Sequence, residues 1–261
     1  MSVEGRAAAL EKAGVAKTVY GSGHGVHTAE RRANIDMKRI CLLLAVVVLA
    51  AGPWRAAMGV EPGHNFGVWE NEIAAFERGD RTNPPPKGAI LFVGSSTIRS
   101  WATLAQDFPG VRVINRGFGG SEVVDSTHFA DRIIFPYEPR MIFFRAGGND
   151  LWAGKSPEEV FADYKEFVAT VRTRLPSVDI VYISWNPTIA RWKQADKEKR
   201  LNALVEEYAR QAPHLKYVET YDMVLGSDGL PRAELFRADK LHFSAEGYRL
   251  LAERVRPFLP K

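Results

Sequence analysis

The sequence predicts an α/β fold in which a parallel sheet is covered by helices on both faces. Apolar runs typical of buried strands recur along the chain, and stretches with helical periodicity lie between them. Strands buried on both faces belong to parallel sheets, whose successive strands are joined by right-handed crossovers. We expect five such strands, at residues 89–93, 111–115, 141–146, 180–184 and 216–218.

The first helix is predicted over residues 69–78, where the apolar residues have helical spacing. Gly79 and the run Asn83-Pro84-Pro85-Pro86 are expected to end it. We treat residues 60–86 as an N-terminal helix and proline-rich connection. No later linker divides the chain, so residues 87–261 are expected to form one domain.

Three later helices are predicted from their end signals and periodicity. Ser156 is followed by Pro157 and two glutamates, which is the pattern of an N-cap with proline and acids in the first turn. This helix is expected to reach about residue 175. Another is predicted over residues 194–211, and Ser244 is expected to cap a last one that ends near residue 255.

The N-terminal region resembles a targeting segment more than a part of the fold. Residues 37–59 combine a basic start, an apolar block and small residues, which is the pattern of a secretory signal peptide. An uncleaved membrane anchor and a twin-arginine signal at Arg31-Arg32 remain as alternatives. Residues 1–36 are interpreted as a leader that precedes the true start. We therefore expect export to the periplasm or the exterior, without stable membrane insertion after cleavage.

The charge and cysteine content argue against several classes of protein. Residues 1–59 hold 8 of the 35 lysines and arginines and 4 of the 31 aspartates and glutamates, so residues 60–261 hold 27 of each. A formally neutral domain lacks the basic footprint of a nucleic-acid binder. The single cysteine, Cys41, lies in the predicted signal peptide, so the cleaved protein has no thiol nucleophile and no disulfide.

Polar residues follow the predicted strands where each strand ends. The first three such segments are Gly94–Thr97, Asn115–Ser121 and Gly147–Trp152, and Asp239–His242 precedes the last helix. Ligands of open α/β folds bind outside the carboxyl ends of the strands. The four segments are therefore expected to converge on one crevice.

In these four segments the chain resembles the SGNH, or GDSL-like, esterase and lipase family. The family is named for a Ser, a Gly, an Asn and a His drawn from four blocks in this order, and the match extends from about residue 87 to 259. The resemblance implies a three-layer α/β/α sandwich with a five-stranded parallel sheet of the flavodoxin-like kind. It also implies hydrolysis of a carboxylic ester by a serine, with a small-molecule substrate and no cofactor.

The resemblance assigns roles to individual residues. Ser96 is the nucleophile, His242 takes its proton, and Asp239 orients the imidazole. Gly120 and Asn149 are oxyanion-hole donors, together with the Ser96 backbone N–H. Ser95 stands where the family motif has Asp, which leaves Ser95 as an alternative nucleophile.

Several of these residues have simpler interpretations. The hydroxyls after the first strand could cap the next helix, and His128 is a competitor for the role of His242. Trp152 and Trp185 follow the third and fourth strands. They are expected either to pack in the core or rim, or to form a platform for a sugar ring or an acyl group.

The motifs of the chain do not indicate a metal site or a dinucleotide site. Asp125, His128, Asp150, Asp239 and His242 are ligand-type residues near the same edge, but their spacing matches no metal-hydrolase motif. The glycines of residues 117–120 lack the full dinucleotide fingerprint. We therefore expect neither a metal nor a nicotinamide cofactor.

The sequence thus predicts an exported serine esterase that favours a short-acyl or O-acetyl ester and works through an acyl-enzyme. A lysophospholipase-type lipid esterase is an alternative substrate assignment. A catalytically silent carbohydrate-binding domain on the same scaffold is the alternative from another class.

Overall fold

A computed structural model of the protein describes residues 63–260. The predicted leader at residues 1–36, the predicted signal peptide at residues 37–59 and Cys41 lie outside the described residues. In the part of the chain that the structure describes, no helix has the length and apolar character needed to cross a membrane.

Five strands form one sheet, and every neighbouring pair is parallel. The strands are β1 (Ile90–Gly94), β2 (Val113–Gly117), β3 (Met141–Arg145), β4 (Asp179–Ile183) and β5 (Leu215–Val218). Their spatial order is β2-β1-β3-β4-β5. The chain changes its direction of winding between β1 and β3, and a crevice forms at such a switch point. The predicted five-stranded parallel sheet is confirmed.

Nine α-helices lie within residues 63–260. They are α1 (Glu70–Thr82), α2 (Ser96–Arg99), α3 (Leu104–Asp107), α4 (Val123–His128), α5 (Ala130–Ile133), α6 (Gly148–Ala153), α7 (Pro157–Arg172), α8 (Ala195–Gln211) and α9 (Ala245–Val255).

The sheet separates two apolar cores, because successive strand residues point to opposite faces. Leu91 and Val93 of β1 belong to a core with α1, α5, α7 and α8. Ile90 and Phe92 belong to a second core with α2, α3 and α9. Helices on both faces of one sheet make a three-layer α/β/α sandwich, which confirms the predicted fold class.

Two predicted helix caps are present in the structure, and one predicted helix end is not. Ser156 accepts a hydrogen bond from the Glu159 backbone N–H, and Ser244 accepts one from that of Gly247, so both predicted caps are present. Gly79 does not end α1, which continues to Thr82. The helix stops where Asn83 precedes a proline, because that proline excludes helical backbone at the preceding residue.

Candidate active site

The loop after β1 places two serine hydroxyls in different surroundings. Gly94 ends β1 with a φ of 144°, and a Cβ atom there would lie 2.0 Å from the Arg145 backbone oxygen, so only glycine fits. The side chain of Ser95 is buried, and its Oγ atom has no hydrogen-bond partner among the described residues. Ser96 is partly buried and lines a cleft. Ser96 is therefore the hydroxyl of this pair that a molecule in the cleft can reach.

The backbone, and not a serine side chain, begins α2. Ser95 is its N-cap residue, yet within residues 63–260 the Ser95 side chain makes no capping hydrogen bond. Its backbone oxygen accepts hydrogen bonds from Ile98 and Arg99 at 3.0 and 3.1 Å. The interpretation of the Ser95 hydroxyl as a helix cap is therefore wrong.

The C-terminal helix holds the loop that follows β1. The Tyr248 hydroxyl of α9 donates to the Thr97 backbone oxygen at 2.9 Å, across 151 positions of sequence. Burial is the main cause that raises the pKa of Tyr248 to about 12, so the hydroxyl stays protonated and able to donate. The position of Ser96 thus depends on α9.

Asn149 lies in α6, directly after β3, and both ends of its amide are engaged. A Cβ atom at the preceding Gly148 would lie 2.6 Å from the Trp185 ring, so the turn into α6 needs glycine there. Asn149 Nδ2 donates to the Ser121 backbone oxygen at 2.9 Å, and Asn149 Oδ1 accepts from Arg191 Nη1 at 3.0 Å. These contacts fix the amide orientation and leave one Nδ2 hydrogen for another acceptor.

Gly120 follows β2 and lies on the same cleft as Ser96 and Asn149. Its φ is 82°, and a Cβ atom there would lie 3.1 Å from the Trp69 ring. The structure thus brings all three predicted oxyanion donors to one cavity.

Asp239 and His242 form an ion-pair-type contact in the loop before α9. His242 Nδ1 lies 2.7 Å from Asp239 Oδ2, while Asp239 Oδ1 accepts from the backbone N–H groups of Leu241 and His242, both at 2.9 Å. The hydrogen bond from His242 is the main cause that lowers the pKa of Asp239 to about 2. Asp239 is therefore ionised at neutral pH, and Nδ1–H donation to it leaves Nε2 as the free imidazole nitrogen.

Ser96 and His242 line one cleft of about 200 Å³. No hydrogen bond joins the two side chains among the contacts of the described residues, and such bonds in hydrolases often tighten only with substrate bound. The walls of the cleft come from the loops after β1, β2, β3 and β4 and from the loop before α9. They comprise Ser96, Thr97, Arg99, Gly120, Arg145, Asn149, Trp185, Asn186, Thr188, Arg191, Leu241, His242 and Phe243.

The three arginines of this cleft, Arg99, Arg145 and Arg191, were not identified from the sequence. Arg145 ends β3 and is fully buried, and burial lowers its pKa to about 10. Arg191 lies in the connection between β4 and α8 and is partly buried. The one sequence signal for Arg145 was that a charged residue directly follows four apolar residues of β3. Arg191 belongs to no recognisable motif.

The two candidate tryptophans lie in different environments. Trp185 is 9% exposed, its Nε1 donates to the Ala146 backbone oxygen at 2.9 Å, and it lines the cleft. Trp152 is 58% exposed, does not line the cleft, and has the Arg191 guanidinium 5.0 Å from its ring centre. Trp185 is thus a packed wall residue, and Trp152 is a rim residue.

The candidate metal ligands other than Asp239 and His242 have protein neighbours of their own. Asp125 is bonded to His64 at 2.8 Å, and the His128 ring stacks on Phe66 with centroids 3.9 Å apart. Asp150 is buried and accepts from the backbone N–H of Val123. Within residues 63–260, no group of three or more His, Cys, Asp or Glu residues is arranged to hold a metal ion. His128, the competitor for the role of His242, does not line the cleft with Ser96.

Glu198 of α8 is a buried carboxyl group close enough to Arg145 and Arg191 to feel their charge. Its Oε1 accepts from Gln194 at 2.8 Å, whereas its Oε2 has no partner among the described residues. Burial raises the pKa of Glu198 to about 7, while Arg145 and Arg191 act in the opposite direction. Glu198 is therefore partly protonated at neutral pH.

We expect Glu198→Gln to stabilise the protein more at pH 8 than at pH 5. The unfolded-state pKa is near 4.5, so between about pH 4.5 and 7 the folded protein holds a proton that the unfolded chain has released. The contribution of Glu198 to stability therefore falls as the pH rises through this window. The free energy of unfolding in urea should rise by about 1–3 kcal/mol in the variant at pH 8.

Glu166→Gln is the matched control for this measurement, because Glu166 is exposed on α7. It should change the free energy of unfolding little at either pH. An equal effect of Glu198→Gln at pH 5 and pH 8 would contradict the titration of Glu198 in this window.

The sequence model of the GDSL-like lipase/acylhydrolase family matches residues 85–250 of the chain. This range contains Ser96, Gly120, Asn149, Asp239 and His242. A comparison with curated proteins finds no significant match.

Solved structures with the same fold include several bacterial hydrolases. A Streptococcus pneumoniae protein named as a platelet activating factor is 19% identical, with a TM-score of 0.66, and 85% of this chain aligns with 99% of it. An acylhydrolase from Bacteroides fragilis is 18% identical, with a TM-score of 0.61 and coverage of 76% and 97%. An acetyl-xylooligosaccharide esterase from Geobacillus is 17% identical, with a TM-score of 0.53 and coverage of 68% and 96%. At these identities the likeness shows a shared fold.

Proposed function

Since the chain belongs to the GDSL-like lipase/acylhydrolase family, we propose that it hydrolyses a carboxylic ester with Ser96 as the nucleophile. The observation that carries this proposal is the shared cleft, where the accessible Ser96 hydroxyl and the Asp239-oriented imidazole of His242 lie together. These are the nucleophile, base and orienting group that acyl transfer by serine needs.

The reaction proceeds in two halves. In the first half, Ser96 Oγ attacks the ester carbonyl carbon as its proton moves to His242 Nε2. The bond between the carbonyl carbon and the alcohol oxygen then breaks, and Nε2 gives the proton to the leaving alcohol. Water, deprotonated by the same nitrogen, next attacks the acyl-serine and releases the acid. Asp239 remains ionised throughout and stabilises the imidazolium that forms in each half.

The oxyanion of each tetrahedral intermediate is held by Asn149 Nδ2 and by the backbone N–H groups of Gly120 and Ser96. Arg191 supports this arrangement, because its bond to Asn149 Oδ1 directs the amide nitrogen away from itself. Hydrogen-bond donors that are already in position stabilise the negative charge of the transition state, because the protein does not have to rearrange as that charge forms.

Asn149→Ala is expected to lower kcat by about 10²–10³-fold, with a smaller effect on KM, because the lost hydrogen bond forms mainly in the transition state. Steady-state kinetics with p-nitrophenyl acetate measure both constants. Unchanged circular dichroism would show that the fold is intact, and labelling of Ser96 after long exposure to a fluorophosphonate probe would show that the serine is still reachable. A kcat within threefold of the wild-type value would remove Asn149 from the oxyanion hole.

A short acyl group is favoured by the size of the cleft, which at about 200 Å³ suits an acetyl or similar group. Export is part of the proposal and rests on the signal-peptide pattern at residues 37–59. A series of p-nitrophenyl esters from acetate to palmitate tests the chain length. An optimum at long chains would favour the lipid-esterase alternative.

A fluorophosphonate probe separates an esterase from a silent carbohydrate-binding domain on the same scaffold. The probe reacts with an activated serine, so the wild-type protein should become covalently labelled at Ser96, as mass spectrometry of its peptides would show. Acid release from an ester panel should accompany labelling. A protein that neither reacts with the probe nor releases acid, yet binds oligosaccharides, would establish the binding alternative.

A further inference from the structure

The cleft carries positive charge although the domain as a whole is formally neutral. Arg99, Arg145 and Arg191 line it, and no aspartate or glutamate is among its lining residues. Residues 60–261 as a whole hold 27 basic and 27 acidic residues, so this concentration of charge is local. A cleft lined by one sign of charge attracts substrates of the other sign.

Arg145 brings a buried charge to the cleft without a carboxylate partner. Its guanidinium donates to the backbone oxygen of Ser184, to Thr220 Oγ1 at 3.4 Å and to Asn186 Oδ1 at 2.6 Å, all of them neutral. The Trp185 ring lies 4.5 Å from its central carbon. Arg145 Nε has no hydrogen-bond partner among the described residues. A buried guanidinium without a counter-ion is costly, which makes a role in binding an anion a reason for its presence.

Among the described residues, Arg191 is the second arginine of the cleft that has no carboxylate partner within contact distance. Its Nη1 donates to the Gly148 backbone oxygen at 3.3 Å and to Asn149 Oδ1 at 3.0 Å, both neutral acceptors. Arg99 differs, because its Nη1 pairs with Glu72 Oε1 at 3.0 Å. Arg145 and Arg191 are therefore the cleft arginines that have no carboxylate in direct contact among the described residues.

The nearby Glu198 does not pair directly with either arginine. Its Oε1 atom accepts from Gln194, and its side chain does not line the cleft. Arg145 and Arg191 line the cleft without a carboxylate in direct contact, so their guanidinium groups face a molecule bound there.

We propose that the natural ester carries an oxyanion, a carboxylate or a phosphate, which Arg191 contacts and Arg145 stabilises from the buried wall of the cleft. This inference rests on the proposed esterase function and narrows its substrate class. Guanidinium groups bind both kinds of oxyanion through charge-assisted hydrogen bonds.

Matched pairs of charged and neutral esters test the proposal. Mono-p-nitrophenyl adipate against p-nitrophenyl methyl adipate places a carboxylate on the acyl side. Acetylglycerol 3-phosphate against acetylglycerol places a phosphate on the alcohol side. In at least one pair, the charged ester should have a kcat/KM higher by about 10–100-fold, the range for hydrogen bonds to charged groups.

Arg191→Gln should reduce this preference to less than threefold. Because the ratio compares two substrates of one enzyme, it is insensitive to any general loss of rate through Asn149. If the Arg145→Gln variant folds, it should reduce the preference in the same way. If it does not fold, the result for Arg191→Gln tests the proposal by itself. Arg200→Gln, at an exposed pair with Glu158, is the control and should keep the preference.

The outcomes separate the two proposals. Turnover of the neutral esters with no preference in either pair, or a preference that survives Arg191→Gln, overturns the anion site and leaves the esterase function intact. A protein that hydrolyses no ester of either pair and resists the fluorophosphonate probe overturns both. Preference in only one pair identifies the oxyanion as a carboxylate or a phosphate.

Discussion

Replacing Ser96 by alanine is expected to lower kcat by about 10⁴–10⁶-fold and to abolish fluorophosphonate labelling. The variant keeps the oxyanion donors and the imidazole but has no oxygen to form the acyl-enzyme. Steady-state kinetics on the preferred ester, with labelling as a second readout, measure the loss.

Ser95→Ala is the matched control for this experiment, since it removes the neighbouring hydroxyl of the same turn. The Ser95 Oγ atom is buried and has no partner among the described residues, so the variant should retain labelling and most of its activity. The opposite result, with loss in Ser95→Ala and retention in Ser96→Ala, would transfer the nucleophile to Ser95 and leave the reaction class unchanged.

His242→Ala is expected to lower kcat by a similar factor of about 10⁴–10⁶, because the residues of such a triad act as one unit. Asp239→Asn should cost less, about 10²–10⁴-fold, since the imidazole remains but is no longer held by an ionised carboxylate. Both effects should appear in kcat more than in KM, because substrate contacts are not removed.

A His–Asp pair far from the cleft serves as the control for His242. His214 Nδ1 lies 3.1 Å from Asp179 Oδ1, where β4 and β5 begin, at the opposite edge of the sheet from the cleft. His214→Ala should leave kcat within a factor of two or three of the wild-type value. Activity that survives in His242→Ala, or a deep loss in His214→Ala, would contradict the assignment of the base.

The inner strands β1, β3 and β4 were predictable because they are largely apolar runs, a pattern that follows from burial on both faces. Ser156 and Ser244 were predictable as caps because a cap forms within one turn of its own helix. Gly79 shows the limit of such local rules. Its lower helix propensity was outweighed by the packing of α1, where Ile73 is buried in the core.

The candidate site was predictable where it follows strand ends and unpredictable where it depends on distant side chains. Ser96, Gly120 and Asn149 follow β1, β2 and β3, so the topology alone places them at one edge. The fixed amide of Asn149 depends on Arg191, which lies 42 positions further along the chain. No periodic pattern encodes such a contact, which explains why the positive cleft emerged only with the structure.

The hydrogen bond from Tyr248 to the backbone oxygen of Thr97 makes the loop that holds Ser96 dependent on a helix that is synthesised much later. The proposed nucleophile, Ser96, is synthesised well before His242 and before α9, whose Tyr248 contacts the serine loop. Under the proposed mechanism, a growing chain would therefore carry a serine without its base. Chains that stop or are cleaved before α9 are expected to release no acid from an ester.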